Sequence, residues 1–164
     1  MGQSRIGFGG GCHWCTEAVF DSLLGVQQVQ QGYVRSKPPA EAESEAVLVD
    51  FDSDAISLKL LIEIHLRTHS SGSSHAMRNK YRSAVYTFDA EQMVQCKRLL
   101  SDLQPQFNHQ LVTQVLPFVS FTESQPRYQK YYATNPDRPF CGTRIEPKLA
   151  LLRRNYSQFV RGSN

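Results

Sequence analysis

The stretch SRIGFGGGCHWCTEAVFDSLLGV, residues 4–26, predicts how the fold begins. Its first residues have the composition of a short strand, and three glycines follow. Apolar residues then recur at helical spacing, at Trp14, Ala18, Val19 and Leu23, with Gly25 as a stop. The stretch therefore predicts a strand, a glycine turn and a helix, with Cys12 at or just before the helix N-terminus.

The rest of the chain alternates between strand and helix patterns. Apolar and polar residues alternate over 26–34 and 45–52, helical spacing follows over 57–68 and 90–104, and a strand pattern over 81–89 separates the helices. The order strand, helix, strand, strand, helix, strand is that of a split βαβ layer. We expect an α+β fold with a ferredoxin-like two-layer core, a mixed sheet and an irregular C-terminal extension. A later strand over 113–121 is expected at a sheet edge because it contains Pro117.

The composition is that of an ordinary globular protein. With 164 residues, 40% hydrophobic and 20% charged, residues 1–164 are expected to form one catalytic domain. The net charge of +3 is mild and no run of Lys or Arg is present, which argues against a nucleic-acid partner. No secretory signal and no membrane-spanning apolar stretch is found, so we expect a cytoplasmic monomer.

Four cysteines, Cys12, Cys15, Cys96 and Cys141, are too few for a disulfide scaffold. At a helix N-terminus the pKa of the Cys12 thiol would be lowered, and the glycines would leave the sulfur open to a substrate. Cys15 lies one turn further along the same helix face, so the two could form a redox pair. One alternative is that both cysteines pack in the core. Another is that they bind zinc together with His13, although Cys96 and Cys141 are isolated and do not form a second pair at metal-ligand spacing.

The segment FGGGCHWCTEAVF, residues 8–20, resembles the active-site segment of the peptide methionine sulfoxide reductase A family, whose motif is Gly-Cys-Phe-Trp followed by a helix. The resemblance continues in order through GYV (32–34), 45–52, 81–89 and 128–149, and so covers nearly the whole chain. It implies an oxidoreductase of oxidative stress repair: thiol-dependent reduction of methionine S-sulfoxide, protein-bound or free, with no metal or organic cofactor.

The resemblance also implies roles for individual residues. Cys12 would attack the sulfoxide sulfur and become a sulfenic acid. Glu45 matches a family glutamate that protonates the oxygen, and Tyr81 matches a tyrosine that hydrogen-bonds it. Trp14 would form one wall of the pocket for the substrate methyl group, and His13, in place of the usual Phe, the other. Because the His13 wall can titrate, the resemblance predicts that the reaction rate depends on pH between about pH 5 and 8.

Two departures from the family pattern affect oxygen binding. Ala76 stands where the family usually has an aspartate, and the adjacent His75 is a candidate substitute. The loop between Gly32 and Glu45 is shorter than usual and lacks a second family tyrosine. Oxygen binding would then depend on Glu45 and Tyr81 alone.

A sulfenic acid must be resolved by a second thiol before it is oxidised further. Cys141, in DRPFCGT (137–143), matches a family resolving cysteine, whereas Cys15 is closer to Cys12 along the helix. We favour Cys141, with both acting in sequence and the disulfide passed to thioredoxin or a similar dithiol reductant. The other candidates, Cys96, His65 and His69, are interpreted as structural residues.

Two other functions are consistent with parts of the sequence. A general thiol-disulfide oxidoreductase would use Cys12 and Cys15 as a CxxC pair, and would reduce insulin but no sulfoxide. A module that binds oxidised methionine but turns it over poorly would follow if His13 and Ala76 disabled the chemistry.

Overall fold

A computed structural model describes residues 2–10, 13–69, 82–125, 129–139 and 141–161. The strands are Gln3–Gly9 (β1), Val26–Arg35 (β2), Ser44–Asp52 (β3), Ala84–Thr87 (β4), Gln114–Pro117 (β5) and Ser120–Glu123 (β6). The helices are His13–Asp21 (α1), Leu58–Arg67 (α2), Ala90–Leu103 (α3), Tyr131–Thr134 (α4) and Glu146–Asn155 (α5). No helix within these ranges is long and apolar enough to cross a bilayer.

The six strands form one sheet in the order β5-β4-β1-β3-β2-β6. Neighbours among β4, β1, β3 and β2 are antiparallel, with α1 between β1 and β2 and α2 between β3 and β4. This confirms the predicted ferredoxin-like core. The added edge strand β5 runs parallel to β4, so the sheet is mixed as expected.

The helices pack on one face of the sheet. Ile6 and Phe8 of β1 point toward them, and Phe8 stacks on Phe20 of α1 with ring centroids 4.6 Å apart. The opposite face buries a smaller cluster around Tyr86. A Cβ at Gly7 would lie 2.9 Å from the Cβ of Tyr86. Any residue larger than glycine at this strand position would therefore require Tyr86 to shift.

The prediction of one strand over 113–121 is wrong, because the segment forms two strands at opposite edges of the sheet. Pro117 has no N–H for a ladder, and β5 ends there. Only Phe118 and Val119 separate β5 from β6, and they donate to Thr87 and Arg35, at the ends of β4 and β2. A flat six-strand sheet would place these edges about 24 Å apart, whereas two residues span at most about 11 Å. The sheet is therefore curled.

The segment that follows β6 crosses back over α1. It contains the four-residue helix α4, a π-helical turn at Cys141–Ile145, and α5. Val160 then forms a bridge with Leu23, just after α1. The predicted irregular C-terminal extension is thus confirmed, and it brings the Cys141 region beside the helix that follows the glycine turn.

Candidate active site

Gly10, directly after β1, has a backbone conformation that fits the predicted glycine turn. Gly10 has φ +139°, a conformation that other residues rarely adopt, and a Cβ there would lie 2.5 Å from the His69 ring. α1 starts at His13. Cys12 itself lies outside the described residues, as do Tyr81, His75 and Ala76, so their predicted roles stay predictions.

Glu45 is placed at the N-terminus of α1 by the pairing of β2 with β3. It lies opposite Tyr33 in the ladder and is only 7% exposed. Its Oε1 accepts a hydrogen bond of 3.0 Å from the backbone N–H of His13, the first residue of the helix. A carboxylate is favoured at a helix N-terminus, where backbone N–H groups have no partner within the helix. The predicted proton donor is therefore bonded to the residue that follows Cys12.

The His13 ring is buried between β2 and β3. Its Nδ1 lies 2.9 Å from the carbonyl oxygen of Gly32, and its Nε2 lies 3.6 Å from Glu45 Oε1. The edge of the ring meets Tyr33, with centroids 5.3 Å apart. The ring thus makes polar contacts on both sides, which a Phe at this position could not make.

Trp14 is half-buried and is covered by the ring of Tyr131. The indole stacks on Tyr131 with a centroid distance of 4.2 Å and an interplanar angle of 4°. The Arg138 guanidinium lies 4.1 Å from the Tyr131 centroid and donates to the Tyr131 carbonyl. Indole, phenol and guanidinium together form a flat surface next to the candidate site.

Glu17 is a residue of this site that the sequence reasoning missed. It lies one turn after His13 and is 2% exposed, and burial is the main cause that raises its pKa. Hydrogen bonds from the Gln31 side chain and from the backbone N–H groups of Lys130 and Tyr131 oppose that rise. Glu17 therefore fastens the C-terminal segment to α1. The sequence signal that could have indicated Glu17 is the presence of a glutamate among the apolar residues of a helix predicted to be buried.

Two of the predicted thiols are brought together. Cys15 on α1 is 7% exposed, and Cys141 at the start of the π-helical turn is fully buried. Burial raises the pKa of the Cys141 thiol, Arg138 opposes this rise, and the nearby Cys15 adds to it. The turn that contains Cys141 packs against α1, the helix that carries Cys15.

The remaining candidates support the fold. Cys96 is fully buried in the core, and burial raises its pKa to about 12. The ring of His65 is 1% exposed and its Nε2 donates to the Gly9 carbonyl at 2.8 Å, while His69 stacks on it at 4.2 Å and contacts Ser83. These two histidines lie under the glycine turn, which agrees with their interpretation as structural residues.

Comparison with known proteins gives a consistent result. The sequence pattern of the family described as "Peptide methionine sulfoxide reductase" matches residues 4–159. The peptide methionine sulfoxide reductase MsrA of Deinococcus radiodurans is 33% identical over 175 residues, which cover 97% of this chain and 85% of the relative. Reduced Mxr1 of Saccharomyces cerevisiae has a TM-score of 0.73 at 20% identity, over 87% of this chain and 91% of its own. Mxr1 in complex with Trx2 has a TM-score of 0.62 at 18% identity, over 79% and 84%. At these identities, the two structures show a shared fold.

Proposed function

The chain belongs to the peptide methionine sulfoxide reductase family, and from this membership we propose that Cys12, Glu45 and Tyr81 carry out its reaction. The protein is an enzyme that reduces methionine sulfoxide to methionine. The proposal assigns these residues to the reaction. It also takes the S-epimer, both free and in proteins, as the substrate.

In the proposed reaction, the Cys12 thiolate forms a bond to the sulfoxide sulfur while the oxygen accepts a proton. The protonated oxygen then forms a bond to the Cys12 sulfur, while the sulfur–oxygen bond of the substrate and the bond between the two sulfurs break. Methionine leaves as the thioether and Cys12 is left as a sulfenic acid. One thiol and one sulfoxide thus give one sulfenic acid and one thioether, with no net change in protons. The reaction therefore needs a group that gives a proton at the oxygen.

The position of Glu45 is the observation that carries this proposal. The carboxyl is buried on β3 and accepts from the backbone N–H of His13, so it lies next to the start of α1. A buried carboxyl beside a reacting atom is suited to general acid catalysis. Tyr81 would add a hydrogen bond to the oxygen, and His13 and Trp14 would bound the site for the substrate methyl group.

We propose that Cys141 resolves the sulfenic acid first and that Cys15 then exchanges with it. The thiol displaces water from the sulfenic acid and leaves a disulfide, which needs two electrons from a dithiol to become reduced again. The packing of the Cys141 turn against α1, with Cys15 nearby, supports an exchange between these two thiols. The complex of the Mxr1 relative with Trx2 supports a thioredoxin as the reductant.

Other parts of the sequence interpretation stay predictions. These are one catalytic domain over residues 1–164, a cytoplasmic location and a monomeric state.

The proposal is tested by one turnover of the pre-reduced protein on a racemic methionine sulfoxide peptide, with mass spectrometry of the cysteines. We expect one methionine from the S-epimer and a disulfide that includes Cys12. In Glu45→Gln the rate should fall by about 10²- to 10⁴-fold, the usual contribution of a general acid. The control is Glu43→Gln, because Glu43 is exposed and pairs with Arg35. Full activity of Glu45→Gln, or insulin reduction without sulfoxide reduction, would contradict the proposal.

A further inference from the structure

The hydrogen bond of His13 to Gly32 determines which ring nitrogen carries a proton. A carbonyl oxygen can only accept, so Nδ1, at 2.9 Å from it, must donate. In the neutral ring the lone pair is therefore on Nε2. Nε2 lies 3.6 Å from Glu45 Oε1, and both residues are buried, with 5% and 7% of their surface exposed.

We propose that His13 and Glu45 hold one proton between them, and that His13 is a positioning residue through which Glu45 keeps the proton that it gives to the sulfoxide oxygen. This inference rests on the role of Glu45 proposed above. A shift of less than about 1 Å brings Nε2 within hydrogen-bond distance of the carboxyl, and such bonds are often long in an empty site and shorten when substrate binds.

The elements packed around the His13 ring place few other charges toward it. Among the residues that the structure describes, β3 contributes Glu45 and β2 contributes the Tyr33 ring. On α1, the Glu17 carboxylate is bonded to Gln31 and to backbone N–H groups of the C-terminal segment. The buried Arg82 guanidinium donates to oxygens of other residues, at Tyr86, Ala42 and Val34. Glu45 is thus the carboxyl that faces Nε2.

The shared proton fits the balance of the reaction. The shared proton is the one that Cys12 gives up when it ionises, and the pair passes this same proton to the sulfoxide oxygen as the Cys12–sulfur bond forms. The pair is then again as it was before Cys12 ionised.

The first test is nitrogen-15 NMR of the His13 ring in the reduced enzyme, with the signal assigned by its loss in His13→Asn. We expect the Nδ1–H form, and a change in the Nε2 chemical shift in Glu45→Gln, because the group that faces Nε2 then changes from a carboxyl to an amide. An unchanged Nε2 chemical shift in Glu45→Gln overturns the inference, whatever the activity of that variant. Full activity of Glu45→Gln would instead overturn the proposed function.

The second test is the pH profile of the single-turnover rate. In His13→Asn, whose amide can still donate to Gly32, the alkaline limb should move toward acid, because Glu45 loses the ring nitrogen that faces its carboxyl. His13→Phe serves as a second variant if His13→Asn does not fold. The matched control is His109→Asn, since the His109 ring contacts Phe107, outside the site, and its profile should superimpose on the wild type. An alkaline limb of either His13 variant that superimposes on the wild type overturns the inference.

Discussion

The N-terminal unit β1–α1–β2–β3 and the C-terminal segment 129–161 position their candidate catalytic side chains by different means. In the N-terminal unit, continuous strand pairing sets the place of each side chain: β2 and β3 pair from Val26 to Val34, and Glu45 has a fixed partner in Tyr33. In the C-terminal segment, a four-residue helix and a π-helical turn hold Cys141. Displacing Cys141 disturbs these two short elements, whereas displacing Glu45 breaks a sheet.

This difference matches the two halves of the proposed cycle. General acid catalysis needs a donor held in one position, which a strand ladder provides. Recycling needs a thiol that a protein-sized reductant can reach, and Cys141 is fully buried in this conformation. We therefore expect the segment to move during recycling while the N-terminal unit stays in place.

The largest expected effect separates the two regions directly. Cys141→Ser should leave the first turnover at its wild-type rate and reduce thioredoxin-dependent steady-state turnover by at least about tenfold, since the sulfenic acid loses its favoured resolving thiol. The measurement compares methionine formed in one turnover with methionine formed at steady state. Cys96→Ala is the control, because Cys96 is a buried thiol on α3, a helix that belongs to neither region. A slow first turnover in Cys141→Ser would mean that the two regions are not separable.

The same two regions show how far the sequence could predict this molecule. Periodicity predicted the N-terminal unit, because strands and helices there follow local patterns of apolar residues. The resemblance pointed to Glu45, and the structure places that carboxyl at the start of α1. The division of 113–121 between two sheet edges was missed because it depends on the curl of the whole sheet, which no local pattern contains.

Contacts between distant parts of the chain were equally hidden. The stacking of Tyr131 on Trp14 and the bonds from Glu17 to Lys130 and Tyr131 join residues more than 100 positions apart. Lys130 also adopts a positive φ of 55°, which nothing in its sequence context indicates. Only the buried glutamate could have suggested such a network, since a buried carboxyl needs partners.

A smaller effect is expected when the C-terminal segment is released from α1. In Glu17→Gln one carboxylate oxygen becomes an amide that faces N–H donors, which should lower the free energy of unfolding at pH 7 by about 1–3 kcal/mol. Urea unfolding followed by fluorescence of Trp14, the only tryptophan, measures it. Glu91→Gln is the control, at an exposed position in the first turn of α3. Equal stability of the two variants would show that the bonds to Glu17 do not hold the segment.

The pH dependence of this loss has a definite sign. Burial raises the pKa of Glu17 in the folded state, so the folded chain binds that proton more tightly than the unfolded chain. The pH-dependent part of the Glu17 contribution is therefore fully present below the ordinary glutamate range, about pH 4.3, and is lost as the pH rises through the folded-state pKa. What remains at pH 7 is the hydrogen-bond contribution of about 1–3 kcal/mol given above. The stability difference between wild type and Glu17→Gln should shrink as the pH rises. A difference that grows with pH would contradict the assignment.

The smallest effect concerns the stacked surface beside the site. Arg138→Gln removes the guanidinium from the Tyr131 ring and its hydrogen bond to the Tyr131 carbonyl. Because the ring also stacks on Trp14 and its backbone N–H is held by Glu17, the loss should be only about 0.5–1 kcal/mol, the usual value of an exposed cation–π contact. Trp14 fluorescence would detect any change of the stack, and Arg153→Gln in α5 is the control. A loss as large as that of Glu17→Gln would show that the stack, rather than the buried carboxylate, fixes the segment on α1.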